Sequence, residues 1–150
     1  MLKDWVALFN KTVEGVNAKI ALHVCFGNLS SRPRGKRAYA WMFPDLLDAQ
    51  CHEMVLEFAN REMKEVELCR EISQEKDVTA GVIDIKSFYQ ETPQDVAARV
   101  QAVLDYVPPD KLTISPDCGF FQIPRWLAVV KLKAMVEGTR LVREELTCAY

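Results

Sequence analysis

The sequence predicts an α/β fold. Three observations carry that reading: four short β-rich apolar runs, a longer segment with helical apolar spacing after each, and candidate ligands gathered at the ends of the runs. The runs are KIALHVC (19–25), EMVLEFA (53–59), TAGVIDI (79–85) and KLTISPDC (111–118). Strands that alternate with helices pair in parallel through right-handed crossovers, so all four strand ends should face the same way.

A helix is expected before the first run, with Leu2, Trp5, Val6, Leu8, Phe9, Val13 and Val16 as its apolar set. After that run comes a long irregular connection, 26–45, of the kind that often carries function. The segment NREMKEVELCREISQ (60–74) places Met63, Val66, Cys69 or Arg70, and Ile72 or Ser73 along or near one side, which predicts a second helix. In TPQDVAARVQAVLDYV, Thr92 is a candidate N-cap, Pro93 takes the first helical position and Asp95 lies in the first turn. Val96, Val100, Val103, Leu104 and Val107 then form one apolar stripe, and Pro108-Pro109 stops the helix. From Pro124 a final helix is long enough to cover a sheet.

The chain has 150 residues, about one domain's worth. Its 19 Lys and Arg stand against 21 Asp and Glu, with 49% apolar residues, which excludes a disordered chain and an electrostatically driven nucleic-acid binder. No apolar run reaches the roughly 18 residues of a membrane span, and the start MLKDWVALFNK lacks the pattern of a secretory signal. A cytoplasmic protein with no membrane partner is expected. Five cysteines without a tight framework of spacings argue for reduced thiols, used in metal binding or simply buried.

His23 and Cys25 alternate along the first run, so an extended strand presents both to one shared volume. Glu57 lies near the end of the second run and Cys118 closes the fourth. At the common C-terminal edge of a parallel sheet, one imidazole, two thiolates and one carboxylate would converge. That donor set suits zinc better than magnesium or calcium. Taken alone, the HxC pair also fits a satisfied core histidine beside a small buried thiol.

In this order, HVCFGN, LEFANRE, GVIDIKS and SPDCGF resemble the C-terminal zinc-binding half of cobalamin-independent methionine synthase and its shorter methionine-synthase-like relatives, over about residues 18–143. The resemblance implies a (β/α)8 TIM barrel of which only about the C-terminal four βα units are present, a half-barrel. It implies zinc held by His23, Cys25, Glu57 and Cys118, and a substrate thiol, homocysteine in the synthases, that attacks a methyl group on a folate donor as a thiolate. A bound cation lowers a thiol's pKa so that the nucleophilic form exists at neutral pH.

There are two departures. Where the family has a catalytic histidine, in YDIHSP, this chain has IDIKSF, so Lys86 takes that position as a candidate catalytic proton donor or anion contact. Four βα units also fall short of the eight in a complete barrel of about 250 residues. The missing half would carry the substrate-binding residues. Such a sheet is expected to associate, with itself or with a complementary N-terminal half-barrel. Two other readings remain at this point: a non-catalytic or truncated zinc-binding half that needs a partner, and a coenzyme M or corrinoid-linked thiol alkyltransferase.

Four further features stand out. SRPRGKR (31–37) offers four cations as an anion contact or a solvated loop, and AYAWMFP (38–44) offers an aromatic wall or core packing. Cys51-His52-Glu53 resembles another ligand cluster, but neighbours in a strand point to opposite faces, so Cys51 and His52 would not readily bind one ion together. Asp84 ends the third run and either orients another side chain or serves the fold.

Overall fold

The computed structural model describes residues 1–28 and 32–148. Helix α1 (Leu2–Val13) precedes strand β1 (Ala21–Val24), and β2 (Glu53–Glu57) follows the long connection. After β2 come short turns and a single α-turn, α2 (Cys69–Ile72), then β3 (Asp77–Ile83), α3 (Pro93–Leu104), β4 (Leu112–Pro116) and α4 (Arg125–Cys148). The strands form one parallel sheet in the order β1-β2-β3-β4. Among the described residues no helix is long and apolar enough to cross a membrane.

Parallel register aligns the alternation of all four strands. Met54, Leu56, Val78, Ala80 and Val82 are fully buried or nearly so, on the face that packs against the surrounding elements. On the other face, His23, Val55, Thr79 and Thr113 form one cross-strand row. Its two ends, His23 and Thr113, are exposed, whereas Thr79 is buried.

The α3 start is the capping box that its sequence predicts: the Thr92 side chain accepts the Asp95 N–H at 3.1 Å, and the Asp95 carboxylate accepts the Thr92 N–H at 2.8 Å. Val96, Val100 and Val103 are buried as the stripe requires. Helix α4 crosses α3 so closely that a Cβ at Gly138 would sit 2.5 Å from the Pro93 carbonyl oxygen and 2.6 Å from Val96 Cβ. Only a residue without a side chain fits that crossing.

The helix expected over 60–74 does not form. Turns at Ala59–Arg61 and Val66–Leu68 lead into α2, and Glu62, Met63 and Glu65 have φ of 55°, 60° and 64°. For residues with a Cβ, left-handed backbone costs on the order of 1 kcal/mol each, so a long-range interaction must offset it. Asp117 supplies one, because its carboxylate takes the N–H groups of Phe58, Ala59 and Asn60 at the start of this segment. Met63 also packs against both hydrophobic clusters. Helix α1 likewise ends short of Val16, with Gly15 at φ 75° just beyond it.

Candidate metal centre

The donor atoms of His23, Cys25 and Cys118 all lie within 4.8 Å of one another. His23 comes from within β1, Cys25 from the residue after it, and Cys118 from two residues past β4. These strands are the two edges of the sheet. Bringing their ends together requires the intervening strand ends to be fixed, and two side chains do this.

Tyr39 is completely buried, and its hydroxyl accepts the Glu57 N–H at 2.8 Å and donates to the Val24 carbonyl at 2.9 Å. It therefore joins the ends of β1 and β2. Asp117 joins the end of β4 to the segment after β2, accepting from Phe58 N–H at 3.0 Å, Ala59 N–H at 2.9 Å, Asn60 N–H at 2.8 Å and the Asn60 side chain at 3.0 Å. Burial pushes the Asp117 carboxyl up to about 6, while those N–H groups favour the ionised form. Gly81 makes room for it, since a Cβ there would lie 2.5 Å from Asp117 Oδ1.

The Cys25 thiol is raised above the ordinary cysteine value, first by burial and further by the nearby Cys118 and Glu57; the Gly27 backbone pulls the other way. A resting Cys25 is thus a thiol, and a metal that binds it must displace a proton. His23 stays exposed, leaving one side of the trio open.

Glu57, the fourth expected ligand, is fully buried beside this group, but the trio forms without it. Its Oε1 accepts the Phe26 N–H at 3.2 Å, and its Oε2 meets Lys86 Nζ at 2.7 Å. The Lys86 side chain is only 7% exposed, so this is a buried ion pair. The turn that carries Lys86 is anchored twice. Asp84 Oδ1 accepts the Lys86 N–H at 2.8 Å, and the buried Lys131 ammonium donates to the Asp84 and Tyr89 carbonyls and to Glu91 Oε2. Asp84 thus orients a neighbouring residue.

The remaining candidates have structural partners. Stretch 31–37 begins at Ser31, outside the described residues; within it, the Arg37 guanidinium donates to the Asn60 carbonyl and side chain. Tyr39 of the aromatic stretch packs between Phe26 and Phe58 in the core, while Trp41 is largely exposed. His52 Nδ1 accepts the Ile20 N–H at 2.9 Å, and Glu53 is taken by Lys19 and Thr79. Cys69 is fully buried, and burial pushes its thiol up to about 12.

Sequence reasoning offered core packing for the stretch that holds Tyr39 but missed its hydroxyl tether, and it missed the roles of Asp117 and the Glu91–Lys131 pair. For Asp117 a signal existed: a carboxylate at the end of a strand, directly before a ligand, in a segment too apolar to leave it unpartnered. Tyr39 and Lys131 gave none, because their partners are far away in the chain.

Residues 5–141 match the family model described as "Cobalamin-independent synthase, Catalytic domain". The methionine synthase of Saccharolobus islandicus (strain Y.G.57.14 / Yellowstone #1) is 37% identical over 141 residues, covering 94% of this chain and 40% of its own length. That of Saccharolobus solfataricus is 35% identical over the same shares. A B12-independent methionine synthase from Shewanella sp. W3-18-1, solved in complex with selenomethionine, superimposes with a TM-score of 0.85 at 26% identity, over 98% of this chain and 45% of that one. The chain therefore spans about 40% of the length of the curated relatives it matches.

Proposed function

Given that this chain belongs to the cobalamin-independent methionine synthase family, through its catalytic domain, we propose that it provides the zinc-binding part of a thiol methyltransferase, with homocysteine as the acceptor and a methyl-tetrahydropteroyl compound as donor. The observation that carries this reading is the trio His23, Cys25 and Cys118, whose donor atoms lie within 4.8 Å of one another at the C-terminal ends of the two edge strands. One imidazole and two thiolates, with the buried Glu57 carboxylate as the fourth donor, fit zinc, and the exposed side at His23 leaves room for a substrate thiol.

When bound, zinc supplies the positive charge that lets a substrate thiol exist as thiolate at neutral pH. The chain's own groups prepare the site. Cys25 and Cys118 give up their protons on loading, His23 leaves the solvent side accessible, and Tyr39 and Asp117 hold the strand ends in place. Lys86 occupies the position of the family's acid, buried beside the trio and paired with Glu57.

The chain is also read as the C-terminal half of a TIM barrel, completed by a complementary half or by a second copy. Both edge strands are less buried than β2 and β3, and the row that would line a barrel interior is open at His23 and Thr113. The share of the relatives' length that it spans agrees with this.

Titration calorimetry of the zinc-loaded chain with homocysteine tests the reading. The expected result is binding with release of about one proton per thiol, absent from the zinc-stripped chain. Zinc-loaded protein that takes up no homocysteine, alone or assembled with the other half of a relative, would contradict it.

A further inference from the structure

We propose that Arg37, Arg61 and Lys64 form a binding site for one oxyanionic group of a small molecule, a phosphate, sulfate or carboxylate. The three cations line a cleft of about 310 Å³ together with Asn60 and Glu62. Arg37 comes from the basic stretch of the connection between β1 and β2, and the other four follow β2.

Arg61 carries the argument. It is only 8% exposed, yet its Nη1 has no hydrogen-bond partner among the described residues. The rest of the guanidinium is committed: Nη2 donates to Glu65 Oε2, and the Phe26 and Tyr39 ring centroids lie 5.0 and 5.6 Å from Cζ. The rings attract the cation, but a ring face does not replace an oxygen acceptor for an N–H. A buried charged donor without an acceptor is costly, so it marks a place that a water or a ligand fills. With the rings and Glu65 on its other sides, the cleft is where an acceptor enters. Nη1 is itself shielded from solvent, so an entering oxygen displaces one of the exposed side chains of the cleft, Arg37, Glu62 or Lys64.

The ligand class follows from the donors left to hold it. The N–H groups of Arg61, Glu62, Met63 and Lys64 are all spent on carbonyls within the turns, so side chains alone bind. Guanidinium and ammonium groups donate and accept nothing, which selects an oxyanion. Charge agrees: the three cations face Glu62 in the wall and Glu65 beneath Arg61, so one further anionic group balances the cleft. Arg37 is already steered into place, its Nη2 donating to the Asn60 carbonyl and Oδ1 while Asp117 holds the Asn60 N–H and amide.

The cleft adjoins the candidate metal centre, because Phe26 follows Cys25 and Asp117 precedes Cys118. An oxyanion there is placed to anchor the charged end of a substrate. That use rests on the proposed function, whereas the site itself does not, and its test needs no metal.

The test is an NMR titration of the full chain that follows the arginine guanidinium signals. Inorganic phosphate, sulfate and acetate are each compared with sodium chloride at matched ionic strength, which removes general screening. A saturable shift of the Arg61 signal is expected with at least one oxyanion and not with chloride. Arg37→Gln and Lys64→Gln should each weaken that binding about tenfold, the loss of one charge-assisted hydrogen bond. Lys133→Gln, on α4, should leave it unchanged. Tighter binding of phosphate or sulfate names a tetrahedral group and tighter binding of acetate a carboxylate; both support the site.

Shifts that follow ionic strength alone, or that are the same in Lys64→Gln and Lys133→Gln, would overturn the proposal. So would the lack of a saturable shift with all three anions, which leaves Nη1 to a bound water.

Discussion

The β3–β4 side of the sheet and the β1–β2 side are built differently. Over β3 and β4 lie two long helices, α3 and α4, packed so closely that Gly138 is needed at the crossing. Over β1 and β2 the cover is α1, a long connection and a run of short turns with three left-handed residues. The first side is held by local helix chemistry and apolar stripes. The second is held by single polar side chains reaching across the sheet: Tyr39, Asp117, and the Glu65 carboxylate that accepts the Tyr39 and Ala40 N–H groups. The candidate centre draws on both, with His23, Cys25 and Glu57 from the second side and Cys118 and Lys86 from the first.

The difference predicts how each side fails. The largest effect is expected from Asp117→Ala, which strands the Ala59 and Asn60 N–H groups, leaves the Phe58 N–H only its 3.3 Å bond to the Gly81 carbonyl, and unties β4 from the segment after β2. A loss on the order of 4 kcal/mol should follow in urea unfolding, together with loss of zinc binding. Gly138→Ala attacks the other side: its Cβ must push α3 and α4 apart, at a cost of about 2 kcal/mol. Zinc binding should survive in that variant under conditions where it remains folded. If Gly138→Ala lost zinc as readily as Asp117→Ala, the two sides would not be separable.

A smaller effect comes from Glu65. Burial raises its carboxyl, but the Tyr39 and Ala40 N–H groups and Arg61 outweigh that and hold it below the ordinary 4.5. The folded state therefore binds this proton less readily than the unfolded chain, so the contribution is complete above that value and fades as pH falls through the depressed one. The stability difference between the parent and Glu65→Gln should be present at neutral pH and vanish in acid, by urea midpoints across the range. A difference that persisted unchanged in acid would remove Glu65 from the set of tethers.

The same contrast decides what the sequence could reveal. Local signals described the β3–β4 side well: the Thr92 capping box, the buried Val96, Val100 and Val103 and the final helix all form, although α3 ends at Leu104, short of the Pro108-Pro109 stop. Parallel pairing and the meeting of His23, Cys25 and Cys118 were legible too, because parallel alternation puts all C-terminal strand ends at one end of the sheet. The 60–74 segment was not. Its apolar spacing is helical, yet Asp117, some 57 residues away, takes the N–H groups that would begin the helix. Lys86 on Glu57 is a pairing of the same kind, 29 residues apart, and no local pattern announces it. Tertiary tethers override propensity here, and they cluster where the ligands are.

The measurement that bears most directly on the account is zinc per chain, by elemental analysis, in protein purified without chelators and in a Cys118→Ser variant handled identically. The account predicts about one zinc in the parent, as expected for a single site, and a large loss in the variant. A folded parent with no zinc, or a Cys118→Ser variant that keeps it, would contradict the claim that the two edges of the sheet meet to bind one metal ion.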